Sequence, residues 1–471
     1  MKPAKRKARA LPFLLPQYCK GCGRCIDACP KHLIHQDAHV NAESGMLPVH
    51  VDMDDCNACG LCMLACPEPF GLHGEDHIYS WEEAGAEYAP IAEEARLGTP
   101  HPAAQDIPDT RIALPAVEPM LLKGTYAAAI GALLAGCRHF YGYPITPSTE
   151  GAELMAKVLP HLDGIFVQAV SEVATVNHMY GCSGAGLPCM TFTSSPGFSL
   201  MLEGVSYMIG AELPGVFVEI MRGGPGLGNV GPSQEDIKLV CHGLGHGHTQ
   251  AIVLAPADPQ ETLDLTMLAF ELTFKYRNPV ILLGDGYLGQ VTGKVRLPDS
   301  MVKPGLPAWA VYGDRAHRRN LVTSIYITES DLEEHNHKLN AKYDAMTAAE
   351  QRADLFMCDD ADVLFVASNT PARMVKAAIR DLRAKGIKAG LFRPITLWPF
   401  PVDALGQALQ GIEKIIVVEA SNGQLEDELR LAASKAGHAL PPITHVRRFG
   451  GVLPEGSEIL AAGLGTQEVA S

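Results

Sequence analysis

Residues 188–197, PCMTFTSSPG, and residues 215–224, GVFVEIMRGG, follow one pattern: a short apolar run with few charges, then an abrupt turn built from small residues, Gly or Pro. Such a run reads as a buried strand, and its recurrence between longer helical stretches predicts a parallel sheet with helices on its faces. Four more runs extend the pattern: Arg138 to Tyr141, Gly164 to Gln168, Ala251 to Leu254 and Pro279 to Leu283. Helical stretches begin near Gly124, Glu172, Leu200, Gln234 and Pro259. Together these place one α/β domain at 121–290.

Residues 291–354 lose the rhythm and carry mixed charge, including Asp314, Arg315, Arg318 and Arg319, which predicts a connecting segment. The rhythm returns at Asp362. Val363 to Ala367 reads as a buried strand, Thr370 as an N-cap and Pro371 as the first helical residue. Met374, Ala377, Ala378 and Leu382 follow at helical spacing, and Gly386 supplies the stop. Strands at Lys388 to Phe392 and Ile415 to Glu419 complete a second α/β domain over 355–471.

Upstream, the composition changes again. Residues 1–15 form a basic tail with Lys2, Lys5, Arg6, Lys7 and Arg9, a solvated arm or a contact for an acidic partner. Residues 16–80 are dense in Cys, Gly and Pro, and 81–120, rich in Glu, Ala and Pro, read as an extended linker.

The 471 residues carry 38 Lys and Arg against 53 Asp and Glu, a net charge of −15 that argues against a general nucleic-acid binder. No apolar run approaches the ~18 residues of a membrane-spanning helix. Pro12 and Pro16 interrupt the short apolar stretch Leu11 to Leu15, and no cleavage pattern follows, so no secretory signal is read. A cytoplasmic protein is expected.

Eight of the 13 cysteines fall between Cys19 and Cys66. Cys19, Cys22, Cys25 and Cys29 before Pro30 spell C-x2-C-x2-C-x3-C-P, and Cys56, Cys59, Cys62 and Cys66 before Pro67 spell it again. Three closely spaced thiolates wrap three irons of a cubane, while the fourth, after a longer step and a proline turn, points to the other cluster. One 4Fe-4S cluster is therefore assigned to Cys19, Cys22, Cys25 and Cys66, and the other to Cys56, Cys59, Cys62 and Cys29. Zinc also takes four thiolates at C-x2-C spacing, but two overlapping sets with paired Cys-Pro ends favour clusters. This segment resembles a bacterial two-cluster ferredoxin, a small α+β fold.

Four segments of the first α/β domain stand directly after candidate strands, at the carboxyl edge where open α/β sheets bind ligands. They are Tyr143 to Ser148 (YPITPS), Ser171-Glu172, Thr193 to Gly197 (TSSPG) and Met221 to Pro225 (MRGGP). With Gln234-Glu235-Asp236 and Leu283 to Gly286 (LGDG), they are similar, in order, to the α subunit of the 2-oxoacid:ferredoxin oxidoreductases. The resemblance spans 121–460. It implies a thiamine pyrimidine-binding-like domain at 121–290 and a transketolase C-terminal-like domain near 355–460.

By that resemblance Glu172 is the cofactor-activating glutamate, whose hydrogen bond to the aminopyrimidine favours the tautomer that removes the thiazolium proton. Taken alone, it reads as a helix-start glutamate favoured by the dipole. Arg222 matches the residue that grips the 2-oxoacid carboxylate, as its planar fork suits, and Thr146 matches a hydrogen-bonding threonine beside it. Pro144, Ile145, Thr193, Ser194, Ser195, Gln234 and Asp236 are candidates to line the cofactor.

Other motifs carry no such chemistry. Gly226 to Gly231 fits G-x-G-x-x-G, but Pro232 interrupts the approach to the helix and no acidic strand end follows. Gly284-Asp285-Gly286 lacks the Asn-Asn pair that would hold the thiamine diphosphate metal. His242, His246 and His248 sit among flexible glycines, and Cys137, Cys182, Cys189, Cys241 and Cys358 read as small core residues.

The resemblance implies thiamine diphosphate shared with a β subunit that holds the diphosphate and Mg2+, a γ subunit, and a hetero-oligomer with more than one αβ unit. It implies coenzyme A as co-substrate and electrons leaving through two 4Fe-4S clusters to ferredoxin or another acceptor. Residues 221–228 and the Gly243 to His248 run look most like the branched-chain subgroup, with 3-methyl-2-oxobutanoate as substrate. Alternatives are 2-oxoglutarate, pyruvate or an aromatic 2-oxoacid such as phenylglyoxylate. No further cation is identifiable for a second carboxylate, which disfavours 2-oxoglutarate. The alternative of another class is a non-catalytic electron-transfer scaffold.

Overall fold

Buried parallel strands need unbroken apolar faces, and the chain meets that need twice. The computed structural model describes residues 10–41, 45–68, 71–74, 109–314, 316–317 and 320–466. The basic arm Lys2 to Arg9, most of the 81–120 linker, and Arg315, Arg318 and Arg319 lie outside these residues. The described residues divide into two compact units: the cysteine-rich part up to 74 with 325–336, and the remainder of 109–324 with 337–466.

In the first unit, β1 (Pro12–Leu14) precedes α1 (Arg24–Ala28), and β2 (Ile34–Gln36) pairs antiparallel with β3 (Val49–Val51). Then come α2 (Leu61–Ala65) and β4 (Leu72–Gly74), which pairs antiparallel with β1. Each short helix starts inside a cysteine motif and ends at its last Cys, so the four motif thiols are presented by a loop and one helical turn. Leu14, Ile34, Val49 and Leu72 form the small core between the motifs.

In the second unit, β5 (Thr110–Ala113) and β6 (Met120–Lys123) lead into α3 (Gly124–Leu134) and β7 (His139–Gly142). The chain continues through α4 (Thr149–Val158), β8 (Ile165–Gln168), α5 (Glu172–Gly184), β9 (Cys189–Thr193), α6 (Ser195–Gly210) and β10 (Gly215–Met221). After α7 (Ile237–His242) come β11 (Ile252–Leu254), α8 (Pro259–Tyr276), β12 (Pro279–Asp285) and α9 (Gly286–Gln290). The strands β13 (Thr292–Val295) and β14 (Ser300–Lys303) pair back antiparallel onto β6 and β5.

All six predicted strands are present. α6 begins at Ser195 rather than Leu200, because Pro196 fits the first helical turn, where its missing N–H costs nothing. α7 begins at Ile237 rather than Gln234, because Gln234 and Glu235 bond to the second sheet instead. The connecting segment also holds a long helix, α10 (Glu329–Ala349), followed by β15 (Ala353–Phe356).

The last part comprises β16 (Val363–Val366), α11 (Asn369–Ala384), β17 (Ala389–Pro394), β18 (Thr396–Trp398), α12 (Val402–Ala408), β19 (Lys414–Glu419), α13 (Gln424–Ala436), β20 (Ile443–Arg447) and α14 (Gly456–Leu464). Ser368, not Thr370, occupies the N-cap of α11, and the Thr370 hydroxyl is committed to Asp285 at 2.8 Å. The buried face of α11 runs through Val375, Ala378, Ile379 and Leu382, while Ala377 is exposed.

The first sheet has the order β18-β11-β12-β10-β9-β7-β8, parallel except for β18. β18 comes from the second α/β domain, so that domain lends the first its edge strand. The second sheet, β15-β17-β16-β19-β20, is parallel except for β15. The chain runs from β7 to β8 on one side and returns to β9 on the other, placing a topological switch point between the carboxyl ends of β7 and β9.

The second sheet has its own switch point between β16 and β19, and Gln234 fills it. Its amide donates to the Ser368 carbonyl and the Asn369 side chain, both at 3.2 Å, and its oxygen accepts from the Ala420 N–H at 2.8 Å. The crevice that binds ligands in many such sheets is here a joint between domains.

Candidate functional site

Two cavities lie in the cysteine-rich unit. One is lined by Cys29, Cys56, Cys59 and Cys62, the other by Cys19, Cys22, Cys25 and Cys66. The fourth cysteine of each motif thus faces the cavity of the other. Among the described residues no group of three His, Cys, Asp or Glu side chains is arranged to hold a single metal ion. Burial, then the neighbouring thiols, push the Cys25 thiol up to about 11.

The larger unit gathers most of the other candidates at the switch point of its first sheet. The loop after β7 carries Pro144 and Thr146, both exposed, and the half-buried Ile145. Ser148 Oγ donates to the Ile145 carbonyl at 2.8 Å, which closes the loop on itself. Across the switch point, the loop after β9 carries Thr193 and Ser194, both buried, with hydroxyl oxygens that have no partner among the described residues. Polar atoms so placed are the expected lining of a ligand or ordered-water site.

Glu172 opens α5 behind its N-cap Ser171, whose hydroxyl accepts from the Ala174 N–H at 3.2 Å. The glutamate is 5% exposed and comes up against Gly197 on α6, beside Thr193. The helix start favours its charge, and the close glycine leaves it room to be near the β9 loop.

Arg222 directly follows β10 and is held from three sides. Its backbone N–H donates to Ser195 Oγ at 3.0 Å, Nη1 to the Thr146 carbonyl at 2.9 Å and Nη2 to the Leu227 carbonyl at 2.8 Å. Its Nε–H is buried and has no partner among the described residues. Ser195 in turn donates a short hydrogen bond to Asp236. Burial pushes the Asp236 carboxyl up to about 6 against that bond, with Glu235 adding to the rise and Arg222 opposing it.

The structure therefore brings Thr146, Ser195, Arg222 and Asp236 into one bonded chain and puts Glu172 and Thr193 together at Gly197. Gln234 stands apart, its amide spent on the second sheet. Sequence reasoning missed two acids. Glu219, inside the apolar run of β10, is fully buried, and only its charge within that run distinguished it. Glu235 accepts from Gly224 N–H at 3.2 Å, Ser233 Oγ at 3.0 Å and Gly450 N–H at 3.3 Å, and so ties the Arg222 loop to the end of the second sheet. Asn229 reinforces that tie through the Gly450 carbonyl at 2.8 Å. No local signal marks it, because Gly450 lies 215 residues from Glu235.

Asp285, the acid of Gly284-Asp285-Gly286, accepts from the N–H groups of Tyr287, Leu288 and Thr370 and from the Thr370 hydroxyl, at 2.8 to 3.0 Å. These bonds use the acceptor sites of its carboxylate, so it is a structural joint. Among the described residues no helix is long and apolar enough to cross a membrane.

Residues 130–355 match the model of the pyruvate flavodoxin/ferredoxin oxidoreductase thiamine diphosphate-binding domain. Residues 361–459 match pyruvate:ferredoxin oxidoreductase core domain II, and 11–87 a 4Fe-4S dicluster domain. The chain is 44% identical over 342 residues to the ketoisovalerate oxidoreductase subunit VorB of Methanothermobacter thermautotrophicus, covering 72% of this chain and 96% of that protein. It is 34% identical over 369 residues to the 2-oxoglutarate synthase subunit KorA of Methanocaldococcus jannaschii, covering 73% and 99%. Among solved structures, the 2-oxoglutarate:ferredoxin oxidoreductase of Magnetococcus marinus, with 2-oxoglutarate, coenzyme A and succinyl-CoA bound, superposes with a TM-score of 0.67 at 27% identity. That match covers 74% of this chain and 65% of the longer one.

Proposed function

We propose what this chain does from the family it belongs to: it is an α subunit of the 2-oxoacid:ferredoxin oxidoreductases, carrying a fused ferredoxin-like domain. Its reaction converts a 2-oxoacid and coenzyme A to acyl-CoA, CO2, one proton and two electrons. The substrate we assign is 3-methyl-2-oxobutanoate. The assignment is supported by the higher identity to the ketoisovalerate subunits, 44% and 45%, than to the 2-oxoglutarate subunits, 32% to 38%.

The observation that carries the reading is the carboxyl edge of the first sheet, where Arg222 after β10 keeps a buried Nε–H, and Thr193 and Ser194 at the end of the adjacent β9 keep buried hydroxyls, all without partners among the described residues. Arg222 binds the substrate carboxylate through the Nε edge of its fork, because its Nη groups already hold the Thr146 and Leu227 carbonyls. Thr146 and its loop fix the direction of that fork. Glu172 holds a proton at the cofactor's aminopyrimidine, and Thr193 and Ser194 line the cofactor's edge.

The thiamine cofactor supplies the carbanion chemistry that releases CO2, and the iron-sulfur clusters supply one-electron acceptors. The crossed sets Cys19, Cys22, Cys25, Cys66 and Cys56, Cys59, Cys62, Cys29 hold two 4Fe-4S clusters in this reading. With Asp285 spent as a joint, the diphosphate and Mg2+ fall to a β subunit, and a γ subunit completes the assembly.

The test is the anaerobically co-purified complex, assayed with coenzyme A and a one-electron dye against a panel of 2-oxoacids. Turnover led by 3-methyl-2-oxobutanoate is expected, and Glu172→Gln is expected to collapse it with both clusters retained. Rates led by 2-oxoglutarate would overturn the substrate assignment. Absence of coenzyme A-dependent turnover, with clusters and thiamine diphosphate bound, would leave the chain an electron-transfer scaffold.

A further inference from the structure

β10, the strand that leads into Arg222, carries an acid that the reaction leaves unused. Glu219 lies in register with Thr193 of β9 and Leu283 of β12, has no solvent exposure, and neither carboxyl oxygen has a partner among the described residues. A buried carboxylate without donor or counter-charge is far costlier than the neutral acid, so Glu219 carries a proton. Burial, then the charge on Asp236, raise its proton affinity well above that of an ordinary glutamate.

Asp236 is the second acid. It stands at the N-cap of α7 and accepts the Ser195 hydroxyl, while Ser195 Oγ accepts the Arg222 N–H at 3.0 Å. A second acceptor for the same hydroxyl, the Arg222 carbonyl, lies 3.4 Å away. Both resting places of the Ser195 proton therefore bear on Arg222. The charged groups around Asp236 are Glu235 on its own loop, Arg222 just after β10, and Glu172, which reaches Gly197 from α5. Lys238 and His242, farther along α7, are turned to Asp427 and Glu428 at 3.0 and 2.8 Å.

Resting on the reading of Arg222 as the substrate-carboxylate residue, we infer that Asp236 positions Arg222 through Ser195, above the buried neutral acid Glu219. Glu219 keeps the proton, Asp236 keeps the charge, and Ser195 transmits that charge to the Arg222 backbone. While Asp236 is ionised, the Ser195 hydroxyl points to it and leaves a lone pair for the Arg222 N–H. Once Asp236 is protonated, the hydroxyl turns to the Arg222 carbonyl, and the negative charge that steadies the guanidinium is gone. The Asp236 carboxyl sits at about 6, and a 2-oxoacid carboxylate is fully ionised there, so the change belongs to the protein.

The test uses the assembled complex with its partner subunits, measuring KM and kcat for the 2-oxoacid from ~pH 5 to ~pH 8. In the wild type KM rises as pH falls through about 6, and kcat moves less. Asp236→Asn removes this acid limb and sets KM about tenfold high throughout, the value of one hydrogen bond to a charged group. Ser195→Ala, which keeps both acids, raises KM at neutral pH by a similar factor and serves where the Asn variant fails to assemble. Glu219→Gln mimics the neutral acid and retains the acid limb.

Loss of the limb in Glu219→Gln would make Glu219 the titrating group and overturn the assignment. Wild-type KM profiles in both Asp236→Asn and Ser195→Ala would overturn it as well. Arg222→Ala distinguishes the two levels: an unchanged KM there defeats the reading of Arg222 itself. A high KM there, with wild-type behaviour of the Asp236 and Ser195 variants, defeats only the positioning by Asp236.

Discussion

Gly197 approaches Glu172 so closely that a Cβ built on the glycine would lie 2.8 Å from Glu172 Oε1, and 2.5 Å from Thr193 Oγ1. Any side chain at 197 must displace the glutamate, the threonine or the helix start. Gly197→Ala is therefore expected to lower kcat by about 100-fold, the usual consequence of misplacing a reacting group by an ångström, while the clusters stay in place. Dye-linked turnover of the holo-complex checks it. A loss of only about twofold would remove Glu172 from the reaction.

The crossed lining of the two cysteine cavities gives an opposite pair of outcomes. Cys66→Ala should destroy the cluster of the first motif, and Cys29→Ala that of the second. Each variant should drop iron from about eight to about four per chain. Low-temperature EPR of the reduced protein separates the two. If Cys66→Ala instead removed the cluster of its own motif, the crossed assignment would be lost.

Arg393 is 1% exposed and grips Glu261 at the start of α8 with both Nη groups, at 2.9 and 2.7 Å, while Nε reaches Asp354 at 3.3 Å. Removing the arginine leaves Glu261 without its cation between the two α/β domains, while Asp354 keeps Lys376 at 2.6 Å. Arg393→Leu should cost about 3–5 kcal/mol, read from the denaturant midpoint. The double variant with Glu261→Leu should recover part of that loss, because no unpaired charge is left at that position.

Glu219 predicts a pH effect on stability whose sign is unusual for an acid. Its carboxyl is raised in the fold, so above the ordinary glutamate value of 4.5 the native state holds a proton that the unfolded chain releases. Stability contributed by this group is complete below that value and falls as pH rises, by up to about 1.4 kcal/mol per pH unit. Glu219→Gln has no proton to release. Its melting temperature should equal or exceed that of the wild type at pH ~8, with the gap closing toward acid pH. A variant less stable than the wild type at alkaline pH would contradict the neutral acid.

What the sequence revealed follows from how far each interaction reaches. β10, Gly215 to Met221, was legible to the residue because a strand buried on both faces must be almost wholly apolar. The cysteine pattern was legible because cluster geometry is written in short spacings. The role of Gln234 was not, since its partner Ser368 lies 134 residues away and an amide carries no sign of its target. α10 was hidden by its charge: only Leu339, Tyr343 and Met346 among its apolar residues are buried. Its Lys338 and Lys342 turn inward to Glu212. Burial alone would raise the Glu212 carboxyl, but those lysines and Arg277 hold it well below the usual carboxylate range. A helix fastened by buried ion pairs looks, in sequence, like a solvated connector.

The short strand β18 has a consequence for how the protein can be divided. It pairs antiparallel with β11 through Val253 and Trp398, so the border between the α/β domains runs through a shared hydrogen-bonded ladder. A fragment cut at the compositional border near 290 would leave the edge of β11 bare, an invitation to pair with another copy. The same cut would strand β18 with no ladder to join. The two domains are therefore a single unit of synthesis and folding, and dissection that respects the fold must keep residue 121 and residue 398 on one chain.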